Sequence, residues 1–401
     1  MSNANSSAGE KILSDADWEN VLDIGSSIPA SGINACADQA LESLRHWRKD
    51  LLPKVQGRDL LWERAGELGL GPSGQISANG SCRLMPTRNG WLALNLARDE
   101  DWALVNPWLE QEGDFSSWVF IEKALSQRDG VDLLQRGRLM GLPVALVPFF
   151  LGEGSAKEDS DKRALGPTKD LGWFTFTPSL VPAQSLSDRK PMSSMKVVDL
   201  SALWAGPLCA HLLHQCGMQV TSVASLQRPD GARIGSPKLF EVLHEGHTHL
   251  SLDFAQKSDL QRLATLLCQA DVVIEGSRPR ALQALGLDRD TLAPNGRQLW
   301  LSLTAYGRSA PFGDWVGFGD DVAIAGGLLS VDERGCPEFV ADAVADPLTG
   351  IYAALAVATL AKQEQSGLLD LSLFGVARHC LEKIRLGGVV ATEMYRPTLR
   401  C

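Results

Sequence analysis

Asp346 stands in the run Val344-Ala345-Asp346-Pro347-Leu348-Thr349-Gly350, directly ahead of the long apolar stretch Ile351 to Ala361. A carboxylate at the mouth of a buried helix, reached through Pro and Gly, has two readings. It can cap the helix, which aspartate does well. It can also attack an activated carbonyl as a nucleophile. With an ordinary carboxylate pKa of about 3.9 it is ionised at neutral pH and needs no general base. Taken alone, these residues leave cap and nucleophile open.

Other groups with chemical potential lie upstream. The segment Leu203-Trp204-Ala205-Gly206-Pro207 follows a strand pattern and opens a helix pattern, which brings backbone N–H groups and a positive dipole end toward a phosphate, a diphosphate or a thioester carbonyl. A plain strand-to-helix turn accounts for it equally, because the spacing is not a full Gly-x-Gly-x-x-Gly. Arg278 and Arg280, after Gly276 and Ser277, offer planar forks of donors suited to phosphate, and a solvated loop is the plainer account. Arg233 follows Pro229-Asp230-Gly231. His244, His247 and His249 fall within six residues, but only Glu245 lies near them as a further ligand. No metal is therefore expected; partly charged imidazoles beside a polyphosphate are the more economical reading.

The elements that must position these groups follow from periodicity. From Lys196 onward short apolar strand patterns alternate with longer amphipathic helices, the texture of a parallel sheet with crossover helices. Strands are expected at Val197 to Leu200, Val220 to Val223, Thr248 to Leu252, Val272 to Glu275, Leu299 to Leu303 and Leu368 to Leu373. Helices are expected at Leu208 to Cys216, Ser258 to Ala270, Ala281 to Leu285, Asp321 to Leu329 and Leu348 to Ala361, the last too apolar to be anything but buried. Earlier in the chain, Cys36 to Leu52 and Leu60 to Leu68 have helical spacing, Gly69 to Gly80 is a loop, and Trp91 to Leu96 reads as a strand entered from an Asn89-Gly90 turn. Helical patterns at 102–109, 118–126 and 130–139 precede a strand-like 143–147. The polar string Gly152 to Lys162 and the Ser/Pro-rich Pro178 to Ser194 set a boundary near residue 190. The expected fold class is α/β: a Rossmann-like parallel-sheet large domain with crossover helices over 191–401, preceded by a part (1–190) with helices at about 10–70, a smaller mixed α/β domain at about 76–150, and a linker.

Composition bounds the function. The chain has 401 residues, 44% hydrophobic and 21% charged, with a net charge of -10; an acidic globular protein of this kind is no general nucleic-acid binder and no polybasic membrane anchor. No apolar run reaches membrane-spanning length, and Met1 to Gly9 lacks the order of a signal peptide, so a cytoplasmic protein is expected. Eight dispersed cysteines with no Cys-x-x-Cys pair read mainly as reduced packing thiols.

The stretch from Lys196 to Cys380 resembles family III CoA-transferases of the CaiB/BaiF, formyl-CoA transferase-like type. The likeness is carried by the strand-x-Ala-Gly-Pro-helix start at Ala205-Gly206-Pro207 and by Val273-Ile-Glu-Gly-Ser-Arg-Pro279 with its trailing Leu-rich helix. It extends through Leu301 to Gly307 with Pro311, Gly317 to Val322 leading to Gly326-Gly327, and the setting of Asp346. The resemblance implies that Asp346 is the nucleophile. It implies that Trp204, Ala205 and Gly206 back the CoA pocket, and that Arg233, Gly276, Ser277, Arg278, Arg280 and Thr304 contribute to CoA binding. The implied activity moves CoA from an acyl-CoA donor to a free carboxylic acid through an aspartyl anhydride and an aspartyl-CoA thioester. No cofactor is held tightly, no ATP or metal is used, and coenzyme A is a substrate. The implied assembly is an interlocked homodimer or a heteromer with a related chain.

Some positions depart from the family pattern. Gly276 and Ser277 replace the usual Asn and Phe, Ala284 stands where an Arg is common, with Arg280 nearby to compensate, and Ser222 and Ala224 lack a Lys-x-Glu pattern. These losses favour one rival, a non-catalytic acyl-CoA-binding paralogue or subunit. Another rival is an acyl-CoA racemase or isomerase, against which Phe318 counts, since the racemase branch carries a catalytic His there. Domain order is also unusual. Cys82 to Val144 resembles the family's small domain, which normally follows the nucleophile; here it comes first, so Met1 to Leu70 is expected to supply helices of the usual C-terminal return, and Gly69 to Gly80 a lid or oxyanion-donor loop.

Overall fold

Short runs rich in Val, Leu and Ile, separated by segments long enough to cross back over a sheet, build a seven-stranded sheet in the computed structural model, which describes residues 30–45, 55–71, 74–113, 115–148, 173–179, 191–292 and 298–386. The polar string Gly152 to Lys162 and most of Pro178 to Ser194 lie outside the described residues. The large sheet is formed by β4 (Phe174–Pro178), β5 (Lys196–Asp199), β6 (Gln219–Ser225), β7 (Thr248–Leu252), β8 (Val272–Glu275), β9 (Leu299–Thr304) and β12 (Gly367–Ser372), in the order β4-β12-β9-β8-β5-β6-β7. All neighbours are parallel except β4, which runs antiparallel to β12 with Gly367 opposite Pro178. This edge strand precedes the expected boundary near residue 190, yet its backbone completes the large sheet.

The smaller sheet is an antiparallel meander of β1 (Cys82–Thr87), β2 (Gly90–Asn95) and β3 (Val144–Leu146). Its central strand is buried on both faces. Leu92 and Leu94 pack with Trp108, Ile121 and Leu134 from helices of the same unit, while Trp91 and Ala93 join the core of the large sheet. Burial on both sides explains why this strand reads as an unbroken apolar run and not as an alternation. Two further short strands, β10 (Ser330–Val331) and β11 (Pro337–Glu338), form a hairpin.

Six helices position the site: α1 (Ala30–Arg45), α2 (Glu63–Leu68), α3 (Ala205–Gln215), α4 (Gly319–Gly326), α5 (Ala345–Lys362) and α6 (Leu373–Leu386). Buried side chains occur on every face of α5, from Leu348 and Ile351 to Val357 and Ala358, as expected for a helix at the centre of a core. Gly350 lets α3 approach closely: a Cβ there would lie 2.7 Å from the Ala205 carbonyl oxygen and 2.9 Å from Leu208. α1 packs across α5 and α6, with Gly32 against Ile384 and the Cys36 thiol donating to the Cys380 carbonyl at 3.7 Å. α2 is tied to the large unit by Glu67, whose carboxylate accepts the N–H groups of Lys238 and Leu239 at 3.0 and 2.9 Å. Segments before the small unit therefore cover the core that carries Asp346.

Cys36, Cys82, Cys209, Cys216 and Cys380 are buried free thiols and Cys268 an exposed one. Cys336 is disulfide-bonded, which corrects the reading of reduced thiols at that position. Among the described residues no helix is long and apolar enough to cross a membrane.

Candidate active site

Asp346 is the second residue of α5, and the cap position belongs to Val344. The N–H that its carboxylate accepts comes from Gly319 in α4 and not from its own helix, so the helix-cap alternative is replaced by a first-turn carboxylate that still suits the helix dipole. The approach is held in an unusual conformation. Ala343 has φ 43, in the left-handed region, and its N–H donates to Asp320 Oδ1 at 2.9 Å. A non-glycine residue held this way marks a place where surrounding structure over-determines the backbone. Gly319, opening α4, lies against this bend. A Cβ on it would meet the Ala343 carbonyl oxygen and come within 2.7 Å of Asp346 Oδ2.

The strand-to-helix turn packs beside α5, with the Ala205 carbonyl against Gly350. Asp199 accepts the Ser201 N–H at 2.9 Å and its hydroxyl at 2.5 Å. Leu203, with φ 70, is clamped through its N–H to the Asp230 carboxylate at 3.1 and 3.2 Å. Gly206 has no room for a Cβ, which would run into Ser201. Trp204, Ala205 and Gly206 are thus buried at the start of α3, beside α5.

The third component is Arg64 on α2. Its Nε donates to Asp342 Oδ2 at 2.7 Å and its Nη2 to Asp342 Oδ1, and the guanidinium stacks over Trp204 with its carbon 5.0 Å from the ring centroid. Asp342 is fully buried. Nothing in the local sequence around Arg64 singled it out: its partner lies 278 residues away, and no motif surrounds it.

Four aspartates, Asp320, Asp321, Asp342 and Asp346, converge here, and burial governs their chemistry. It lifts the Asp346 carboxyl to about 7; Arg64 pulls it back, Asp342 adds repulsion, and the Gly319 N–H stabilises the anion. The expectation of a carboxylate fully ionised at neutral pH is corrected accordingly. Asp320 is raised to about 7 by burial and by Asp342, against Arg64 and the Ala343 N–H. Burial takes Asp321 to about 8, against the Phe318 N–H at 3.0 Å and the Asn95 amide at 3.2 Å.

Because the folded-state value of Asp321 lies above its ordinary one, the folded protein binds the extra proton between about pH 4 and about pH 8, and stability from this group falls as pH rises through that window. Asn at this position cannot ionise and keeps an acceptor for Phe318. Asp321→Asn is therefore expected to stabilise the fold by about 1–3 kcal/mol at about pH 9, with little change near pH 5. Thermal melts at both pH values check this, and equal responses at the two would show that Asp321 is not held protonated.

The remaining expected site residues divide into two places. Gly276 and Ser277 follow β8, with Gly276 against Ser201. Arg278 caps the helix Pro279–Leu285; burial and the neighbouring charges of Arg280, Arg98 and Arg228 lower its affinity for a proton, partly offset by Asp314. A basic rim results, to which Arg98 and Arg228 are additions. Arg280 itself pairs with Asp314 at 3.4 Å on the exposed surface. Thr304 ends β9, and its hydroxyl accepts the Gly307 N–H at 2.9 Å. Phe318 caps α4, with its ring 5.7 Å from the Arg98 guanidinium carbon.

Arg233 sits apart from that rim, stacked on Phe240 at 4.5 Å and beside His244 and His249. His211 and His214 of α3 complete a group of five imidazoles, with His247 at 5.4 to 6.5 Å from three of the other rings. Burial, reinforced by mutual repulsion, lowers His247 to about 3 and also lowers His244 and His249. Neutral rings replace the partly charged imidazoles that the sequence suggested. Among the described residues no group of three or more His, Cys, Asp or Glu side chains is arranged to hold a metal ion.

The model of CoA-transferase family III matches residues 192–392, half of the chain, and this span holds β5 to β12, α3 to α6 and Asp346. The chain belongs to CoA-transferase family III. Similar proteins include an acyl-CoA transferase of Fusarium pseudograminearum, 27% identical over 184 residues that make up 41% of this chain and 40% of the relative. The succinate–glutarate CoA-transferase of Agrobacterium fabrum is 26% identical over 232 residues, 53% of this chain and 57% of that protein. A solved structure of a CAIB/BAIF family protein from Brucella suis aligns with a TM-score of 0.45 at 25% identity, covering 50% of this chain and 58% of the other. The family III chain spans about half the length of the curated relatives it matches. Within it, the family match includes the two flanks of Asp346, whereas Arg64 and Arg98 come from segments before that match.

Proposed function

We propose that this chain moves CoA from an acyl-CoA donor to a free carboxylic acid, with Asp346 as the covalent carrier. One observation carries the reading: the Asp346 carboxylate, partly open to solvent, lies at the start of a buried helix within reach of the Gly319 N–H and the Arg64 charge, and that helix packs at Gly350 on the start of α3. An Asp346 oxygen attacks the thioester carbonyl, the C–S bond breaks, and CoA leaves as thiolate from a mixed anhydride. The thiolate then attacks the aspartyl carbonyl and expels the donor acid, which leaves an aspartyl-CoA thioester. The acceptor carboxylate attacks that thioester, and the released thiolate takes the new acyl group, restoring Asp346. One thioester is exchanged for another, so no external energy source is needed. The basic rim of Arg98, Arg228, Arg278 and Arg280 suits the phosphates of CoA, and buried side chains around Asp346 keep water from the anhydride. A homodimer, or a heteromer with a related chain, is part of this reading.

Incubation with an acyl-CoA and hydroxylamine tests it. Mass spectrometry should find Asp346 as a hydroxamate, in an amount that rises between about pH 6 and about pH 8 as the raised carboxyl loses its proton. Unmodified Asp346 across a panel of acyl-CoA esters would sink the proposal.

A further inference from the structure

We propose that Arg64 is a positioning residue for Asp346: locked in a two-point pair with Asp342 and stacked on Trp204, it holds a fixed positive charge against the carboxylates around the nucleophile. The inference rests on Asp346 being the nucleophile. The fork geometry matters, because Nε and Nη2 are both spent on one fully buried carboxylate, and an indole face fixes the plane of the guanidinium. An arginine so held cannot swing to solvent. Its charge acts on Asp320 and Asp346 as well as on Asp342.

The charges facing this group can be named from each packed element. α4 brings Asp320, α5 brings Asp346 and the bend before α5 brings Asp342, while Asp321 of α4 and the Cys82 thiol of β1 interact in turn with Asp320. α2 itself carries Glu63 and Glu67; Glu67 is engaged by the N–H groups of Lys238 and Leu239, and burial holds Glu63 above the ordinary carboxylate range, with Glu67 adding to the rise. Arg98 and Arg138 act on Asp321; Arg64 acts on Asp320, Asp342 and Asp346, and it is delivered from a segment outside the family match. Without it, Asp346 would keep its proton to higher pH and lose nucleophile at neutrality.

The test uses the full-length protein labelled with 13C at aspartate carboxyls, the Asp346 resonance being the one missing from Asp346→Asn. Arg64→Gln is expected to move the Asp346 titration upward by about one pH unit or more, with Arg64→Lys returning it part of the way. The acidic limb of the hydroxamate-trapping profile should move by the same amount. Since Arg64→Gln strands a buried Asp342, Arg64→Gln/Asp342→Asn is measured alongside; an upward shift is still expected, because the pull of Arg64 on Asp346 exceeds the push of Asp342. A titration unmoved in both variants, or a loss of trapping by the same factor at every pH, overturns the proposal. If the unaltered protein forms no hydroxamate, the nucleophile reading fails instead, and the resonance titration still decides whether Arg64 controls the charge of Asp346.

Discussion

Asp346→Asn is expected to lower CoA exchange between an acyl-CoA and an added acid by about 10³-fold or more, while leaving the melting temperature unchanged or raised. The amide fits the same space, keeps an oxygen for the Gly319 N–H, and removes the cost of burying the charge along with the repulsion from Asp342, which together outweigh the lost attraction of Arg64. What it removes is the oxygen nucleophile that would carry the acyl group. The combination separates chemistry from folding, because damage to the core would lower both quantities together. Exchange at an unaltered rate would mean that the acyl group never resides on this side chain.

Gly319→Ala should be almost as severe, for a different reason. The added methyl would run into the Ala343 carbonyl oxygen, a backbone atom fixed by the left-handed bend, and would press on Asp346 Oδ2 at 2.7 Å. Ala343 has little room to retreat, since its N–H is bound to buried Asp320. Displacement of the carboxylate by even about 1 Å is expected to cost about 10²-fold in transfer. A matched control is Gly66→Ala on α2, where a Cβ meets nothing within 4 Å. Steady-state exchange rates for the two variants, read beside circular dichroism, check the expectation; equal and normal rates would place the reacting carboxylate elsewhere.

Periodicity carried the strands and helices of the large sheet because each repeats a strong local pattern: Val197-Val198 in β5, Val272-Val273-Ile274 in β8 and the nearly all-apolar α5 are legible residue by residue. The edge strand β4 escaped notice because Phe174-Thr-Phe-Thr-Pro178 is short, lies beside Ser/Pro-rich chain, and owes its pairing to β12, almost 200 residues later. Asp346 was visible as a candidate because its neighbours form a motif. Arg64 was not, because only the folded chain brings it to Asp342. Charge states were the least legible. The same aspartate and histidine letters that are ionisable on a surface become largely protonated acid at Asp321 and neutral base at His247 once water is removed, and burial is a property of the whole fold.

The packing of α1 against α5 and α6 has a consequence for how the molecule is made. Ile33, Ala37, Leu41 and Leu44 are covered in part by the nearby segment at Gly57 to Leu61 and in part by α5 and α6, residues that leave the ribosome about 300 positions later, as the Cys36 to Cys380 contact illustrates. Until α5 and α6 emerge this greasy stripe has only part of its native seat, so completion of the core waits on contacts between distant ends of the polypeptide, the kind that close slowly.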